Sequence, residues 1–95
     1  MATESIPIRD GRIEAFALDG GTATPLVVLG GVETGMRPLA GTEQVLQRRW
    51  EGRAHARPVT ILGRPIPDDP ADAERIMHPR VIADGIATVL RHLGL

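Results

Sequence analysis

Apolar residues fall into runs of two kinds, loosely alternating near the N-terminus and continuous further along the chain. Residues 6–8 and 13–18 alternate loosely around Asp10-Gly11, a dipeptide that favours the tight turn of a β-hairpin. Residues 24–29 and 58–62 are largely apolar throughout, a pattern typical of strands buried on both faces of a parallel sheet. The pattern therefore predicts a hairpin followed by two buried parallel strands.

Two helices are predicted, one between the parallel strands and one after them. Residues 42–50 form the first, with Thr42 as N-cap candidate and Gly52 as its stop. Its predicted inner face consists of Val45, Leu46, Arg49 and Trp50. Residues 80–93 carry apolar side chains at helical spacing, and Gly94 follows as a C-cap. Residues 65–79 hold four prolines and four acidic residues, which predicts mainly a surface loop.

This element order predicts an α/β fold. An antiparallel hairpin comes first, and a β-α-β-α stretch with parallel strands and right-handed crossovers follows. Only Gly94 and Leu95 follow the last predicted helix, so we expect residues 1–95 to form a single incomplete domain. An open sheet edge is expected where a third parallel strand would pair.

Glycine-rich or kinked turns follow both predicted parallel strands. The first strand ends in Gly30-Gly31-Val32, the second in Gly63-Arg64-Pro65, and the last helix closes on Leu93-Gly94. In this order, over residues 6–95, these motifs resemble the opening third of the α/β-hydrolase fold. The resemblance implies a truncated α/β-hydrolase-like sheet, the portion that precedes the nucleophile elbow.

The resemblance also implies an oxyanion-hole turn. In that family the residue after a His-Gly pair offers its backbone N–H to the oxyanion, and the matching residue here is Val32, preceded by Gly31. One such donor contributes about 2.7–4 kcal/mol to lowering the barrier. The chain departs from the family where Gly30 replaces the usual His. It departs again at Gly63-Arg64-Pro65, where the family often has Asp and then Gly.

A catalytic nucleophile is missing from the pattern. The family's G-x-S-x-G elbow follows the next strand, and its acid and His come later. The only serine here is Ser5, and there is no cysteine. We therefore expect a fragment of an esterase-like or acyl-hydrolase-like enzyme, inactive alone and without cofactor or metal. The alternative is a small non-catalytic interaction module whose open sheet edge pairs with a partner chain or with a second copy.

The same turn allows two further functional interpretations. Residues 31–35 have elbow spacing with Glu33 at the nucleophile position, but a loop glutamate near a helix start is the simpler interpretation. Nucleotide binding is the second interpretation, because glycines at 30, 31 and 35 precede a helix. Arg64 follows the next strand, at the position where an arginine binds the phosphate of NADP. The G-x-G-x-x-G fingerprint is not present, however, which disfavours nucleotide binding.

Composition narrows the function classes further. Eleven basic residues, all Arg, and twelve acidic ones give a net charge of −1, so nucleic acid and anionic membranes are not the expected partners. The three His and the acidic residues in 68–74 lack the spacing of metal ligands. No apolar run approaches the roughly 20 residues of a membrane span, and no signal-peptide pattern opens the chain. A cytoplasmic protein is expected.

Overall fold

The computed structural model describes residues 3–29 and 41–95. Its sheet contains five strands in the order β1-β2-β4-β3, with β5 also paired to β2. The strands are β1 (Thr3–Ile8), β2 (Gly11–Leu18), β3 (Leu26–Leu29), β4 (Val59–Leu62) and β5 (Ile66–Pro67). The helices are α1 (Glu43–Ala54), a 3-10 helix (Pro70–Asp72), α2 (Ala73–Ile76) and α3 (Pro79–Leu93). The predicted α/β class is confirmed.

The predicted hairpin is confirmed, with its turn slightly displaced. Asp10 has a φ of 64°, in the left-handed region that Asp tolerates better than most side chains. Gly11 already belongs to β2 and is buried. A Cβ at Gly11 would collide with the carbonyl oxygen of Ile66, so this position requires glycine because of close packing and not because of the turn.

Strand β4 has an antiparallel neighbour on one side and a parallel neighbour on the other. β2 pairs with β4 antiparallel, from Ala15↔Leu62 to Leu18↔Val59. β3 pairs with β4 parallel, from Leu26↔Val59 to Leu29↔Leu62. The predicted change from antiparallel to parallel strands is therefore confirmed.

The burial predicted for β3 is wrong. All four residues of β4 are buried, as expected for a strand with a neighbour on each side. In β3, three residues are half-buried and Leu29 is 61% exposed. The difference arises because β3 pairs, within the described residues, with β4 alone.

Contacts divide the chain into two compact units. The first comprises residues 14–64 with the start of β1, and the second comprises residues 5–13 with residues 65–95. The core of the first unit is a cluster of aliphatic side chains around one phenylalanine. Its buried members are Phe16, Leu18, Leu46, Ala54, Val59 and Ile61, and Leu26, Val28 and Trp50 pack against them.

Helix α1 is longer than predicted. It begins after Thr42, whose carbonyl oxygen accepts hydrogen bonds from the Val45 and Leu46 N–H groups. Gly52 does not stop the helix, which continues to Ala54. The Ala54 carbonyl then accepts a hydrogen bond from Gly21 N–H at 3.2 Å, so a tertiary contact satisfies the helix end.

The inner face of α1 is narrower than predicted. Leu46 is buried and Trp50 packs against the core, as expected. Val45 is 60% exposed and Arg49 is also exposed, so both were wrongly assigned to this face. The guanidinium carbon of Arg53 lies 4.8 Å from the centre of the Trp50 ring, which shields that half-buried ring through a cation–π contact.

Glu43, the first residue of α1, ties the helix start to β1. Its carboxylate accepts hydrogen bonds from the Thr3 hydroxyl at 2.9 Å and from the Gly41 N–H at 2.8 Å. Hydrogen bonds lower the pKa of the Glu43 carboxyl. The bond from its own backbone N–H is the largest cause, and the bond from the Thr3 hydroxyl is the next. A carboxylate in the first turn also interacts favourably with the helix dipole.

The predicted surface loop over residues 65–79 is confirmed only in part, because most of the segment is exposed but it is not a loop throughout. Residues 65–79 contain β5, the 3-10 helix and α2, and both Pro65 and Ile76 are buried. The predicted final helix is confirmed as α3, capped by the His78 ring nitrogen, which accepts a hydrogen bond from Arg80 N–H, and by Gly94 at a φ of 75°. In the described segments, no helix is long and apolar enough to cross a membrane.

Candidate functional site

The predicted oxyanion residues, Gly31 and Val32, lie outside the described residues. The same holds for Gly30, Glu33 and Gly35, on which the two alternative functions depended. The structure does describe the end of β3, from which the chain enters this stretch. The geometry at that strand end is therefore the structural context available for a site.

The carboxyl ends of the two parallel strands lie side by side. Leu29, the last residue of β3, is the register partner of Leu62, the last residue of β4. The chain therefore departs from both strands at one level of the sheet. In open α/β sheets, ligands bind beyond the carboxyl ends of the strands. The two turns singled out in the sequence thus follow neighbouring strands at the edge where such folds place their sites.

The turn after β4 is fixed to β2. The Gly63 N–H donates a hydrogen bond to the Glu14 carbonyl oxygen at 2.8 Å, which continues the β2–β4 ladder by one step. Arg64 is half-buried directly after it. This backbone anchor gives the turn a defined position next to the end of β3.

Glu14 is a residue that the sequence interpretation did not single out. It is only 8% exposed, in the middle of an otherwise apolar stretch of β2. A buried carboxylate is uncommon unless it has polar partners, and Glu14 does have one. The sequence signal is a charged residue between Ile13 and Ala15, and the backbone of this residue holds the turn after β4 through the bond to Gly63.

No family model, curated protein or solved structure matches this chain. Its function must therefore be argued from its own residues and their geometry.

The second unit contains a shallow groove of about 270 Å³. Apolar and charged residues both line it, namely Ile8, Arg9, Asp10, Arg75, Val81, Asp84, Gly85 and Thr88. The volume is slightly below that of typical ligand pockets, about 300–1,000 Å³. Two arginines and two aspartates are among the lining residues, so the groove does not favour a ligand of one charge.

One wall of the groove is a small ion-pair network centred on Arg75. Its Nη1 lies 3.0 Å from Asp10 Oδ2, and its Nη2 lies 3.1 Å from Asp72 Oδ1. The hydrogen bond to Asp10, followed by that to Asp72, raises the pKa of Arg75, so this guanidinium stays charged. Arg9 approaches the same Asp10 oxygen at 4.0 Å.

Two of the four acidic residues of segment 68–74, Asp69 and Asp72, bind groups of the protein itself. Asp69 Oδ1 accepts a hydrogen bond from the Ala71 N–H and caps the 3-10 helix, while Asp72 pairs with Arg75. Across residues 3–29 and 41–95, no three His, Asp or Glu side chains form a group that could hold a metal ion. These carboxylates are accounted for by capping and ion pairing.

Proposed function

We propose that this chain forms the opening part of an α/β-hydrolase-like sheet, with Val32 N–H as an oxyanion donor. The nucleophile would stand on a further parallel strand that pairs with β3. The observation that carries the proposal is the exposed apolar edge of β3, which lies level with β4 at the carboxyl end of the sheet.

The sheet topology supports this proposal. An antiparallel hairpin, β1 and β2, is followed by the parallel pair β3 and β4. The later strand, β4, lies next to β2, so the order in the sheet is β1-β2-β4-β3. Such an arrangement places the first parallel strand, β3, outermost among the described strands. A strand added beside β3 would extend the parallel region, as expected from the opening portion of a hydrolase-type sheet.

The backbone of β3 is oriented to accept such a strand. The Leu26 N–H donates to the Pro58 carbonyl at 2.8 Å, so Leu26 directs its backbone groups toward β4. Successive residues of a strand direct their N–H and C=O groups to alternate sides. Val27 and Leu29 therefore direct theirs away from β4, and this side, which pairs with no described strand, is a template for a further strand.

An interaction module without catalysis uses the same edge and is the second candidate. The specific observation in its favour is the exposure of Leu29, because an apolar residue at a sheet edge promotes pairing with another chain or with a second copy. The two proposals differ in their chemistry, since only the first requires ester hydrolysis after the strand has joined.

The test is hydrolysis of p-nitrophenyl butyrate by this chain alone and when it is co-expressed with a second polypeptide. That polypeptide is taken from a downstream reading frame encoding an apolar strand, a G-x-S-x-G turn, and a later acid and His. We expect no hydrolysis by the chain alone and clear hydrolysis by the complex. In the complex, Val32→Pro removes the donor N–H and should lower kcat by about 10²–10³-fold.

Val32→Ala is the matched control because it keeps the N–H, and its kcat should stay close to that of the unmodified complex. A complex that forms but does not hydrolyse the ester supports the interaction module instead. A monomer that ignores the second polypeptide contradicts the hydrolase proposal. Equal activity of the Pro and Ala variants removes Val32 from the oxyanion role.

A further inference from the structure

Residues 66–77, here called the strap, consist of elements too short to be stable alone. They comprise the two-residue strand β5, a three-residue 3-10 helix and the four-residue helix α2. Isolated helices shorter than about 12–15 residues are marginal in water, so one or two turns need outside support. The strap therefore depends on contacts with other parts of its unit.

One anchor of the strap is apolar. Ile76 is fully buried, and its Cδ1 would lie 2.6 Å from a Cβ built on Gly11, so the side chain packs directly over that glycine. The backbone of β5 adds a short antiparallel pairing with β2, Gly11↔Pro67 and Arg12↔Ile66. These contacts fasten the strap to the first two residues of β2.

The other anchor is polar and consists of two hydrogen bonds that Asp10 accepts. The Asp10 carbonyl oxygen accepts a hydrogen bond from the Asp68 N–H at 3.0 Å, near the start of the strap. Its Oδ2 accepts one from Arg75 Nη1, also at 3.0 Å, near the end. The side chains of Arg75 and Asp10 are 52% and 41% exposed, so dissolved ions reach the pair.

We propose that the strap opens as a unit from the hairpin and that the Asp10–Arg75 ion pair, the latch, sets how often it opens. Opening uncovers the edge of β2 at Gly11 and Arg12 and widens the groove that Asp10 and Arg75 border. Short segments held by few buried contacts open at lower free energy than the rest of a domain. The proposal does not depend on the hydrolase assignment.

The test is amide hydrogen exchange by NMR in the full chain and in Asp10→Asn. Asn tolerates the left-handed conformation of this turn as well as Asp does, so the substitution removes the charge and spares the backbone. We expect the Asp68 and Met77 amides to exchange about two- to fivefold faster, the range expected for loss of an exposed ion pair. Amides in β4 and the middle of α3 should keep their rates.

Salt provides a second readout. In 1 M NaCl the unmodified strap should exchange as fast as that of Asp10→Asn, whose own rate should hardly change because its latch is already lost. Asp19→Asn, at an exposed aspartate between β2 and β3, is the matched control and should leave strap exchange unaltered. Arg75→Gln removes the latch from the other side and should reproduce the effect without touching the turn.

The proposal is overturned if strap amides exchange equally fast in the unmodified chain and in both latch variants. It is also overturned if the β4 and α3 amides accelerate by the same factor as the strap, because the latch then acts on global unfolding. Acceleration confined to the strap in both variants supports it.

Discussion

Replacing Phe16 with alanine is expected to lower the free energy of unfolding by about 3–5 kcal/mol. Phe16 is fully buried at the centre of the first unit's core, among aliphatic side chains from β2, β4 and α1. It is the only phenylalanine in a chain that has a single tryptophan and no tyrosine. Truncation to alanine leaves a cavity among these neighbours, so both apolar burial and packing are lost.

Urea denaturation monitored by circular dichroism measures this loss. Domains of this size are typically stable by about 5–15 kcal/mol, so Phe16→Ala should remove a large fraction of the total. Val45→Ala is the matched control, since Val45 lies exposed on α1 and its truncation should change stability by less than about 0.5 kcal/mol. Equal destabilisation by the two variants would contradict the described core.

Replacing Gly11 with alanine is the second change with a large expected effect, a loss of about 1–3 kcal/mol. The new Cβ would collide with the Ile66 carbonyl oxygen and would lie 2.6 Å from Ile76 Cδ1. A backbone carbonyl in a paired strand cannot move aside as a side-chain end can. β5 must therefore shift away from β2, or Ile76 must leave its buried position.

Gly52→Ala is the matched control for this glycine. Gly52 lies inside α1 with open space around its missing Cβ. Alanine there should stabilise the chain by roughly 0.5–1 kcal/mol, because glycine in a helix interior costs about that much. Denaturation curves should therefore move in opposite directions for the two variants. A stabilising Gly11→Ala would show that β5 does not pack on β2 as described.

Elements with strong local signals were predicted well from the sequence. The hairpin was found through Asp10-Gly11, and α3 through its apolar spacing and the glycine at its C-terminus. β4 was found through its largely apolar run, and all four of its residues are buried. In each case the determining interactions lie within a few residues along the chain.

Elements determined by distant contacts were missed. β5 is two residues long and exists because it pairs with Gly11 and Arg12, more than fifty positions earlier. The exposure of β3 depends on which strands lie beside it, and no pattern within residues 26–29 carries that information. Helix α1 passes through Gly52 because its end is bonded to Gly21, a contact the local sequence does not reveal.

The candidate site is likewise predicted from the sequence only in part. The sequence places turns after two strands, and the register of Leu29 with Leu62 brings the ends of those strands together. The oxyanion role of Val32 stays a prediction based on resemblance. The latch joins Asp10 and Arg75, which are 65 positions apart, so it could not be predicted from the sequence pattern.

The central claim is that the outer side of β3 pairs with none of the described strands and can accept a further strand. Amide exchange of the four β3 residues in the dilute chain tests it most directly. We expect the Val27 and Leu29 amides to exchange at least about tenfold faster than those of Leu26 and Val28, since hydrogen bonding to β4 protects only the latter pair. Equal protection of all four amides would show that the outer side of β3 is already paired, and would contradict the claim.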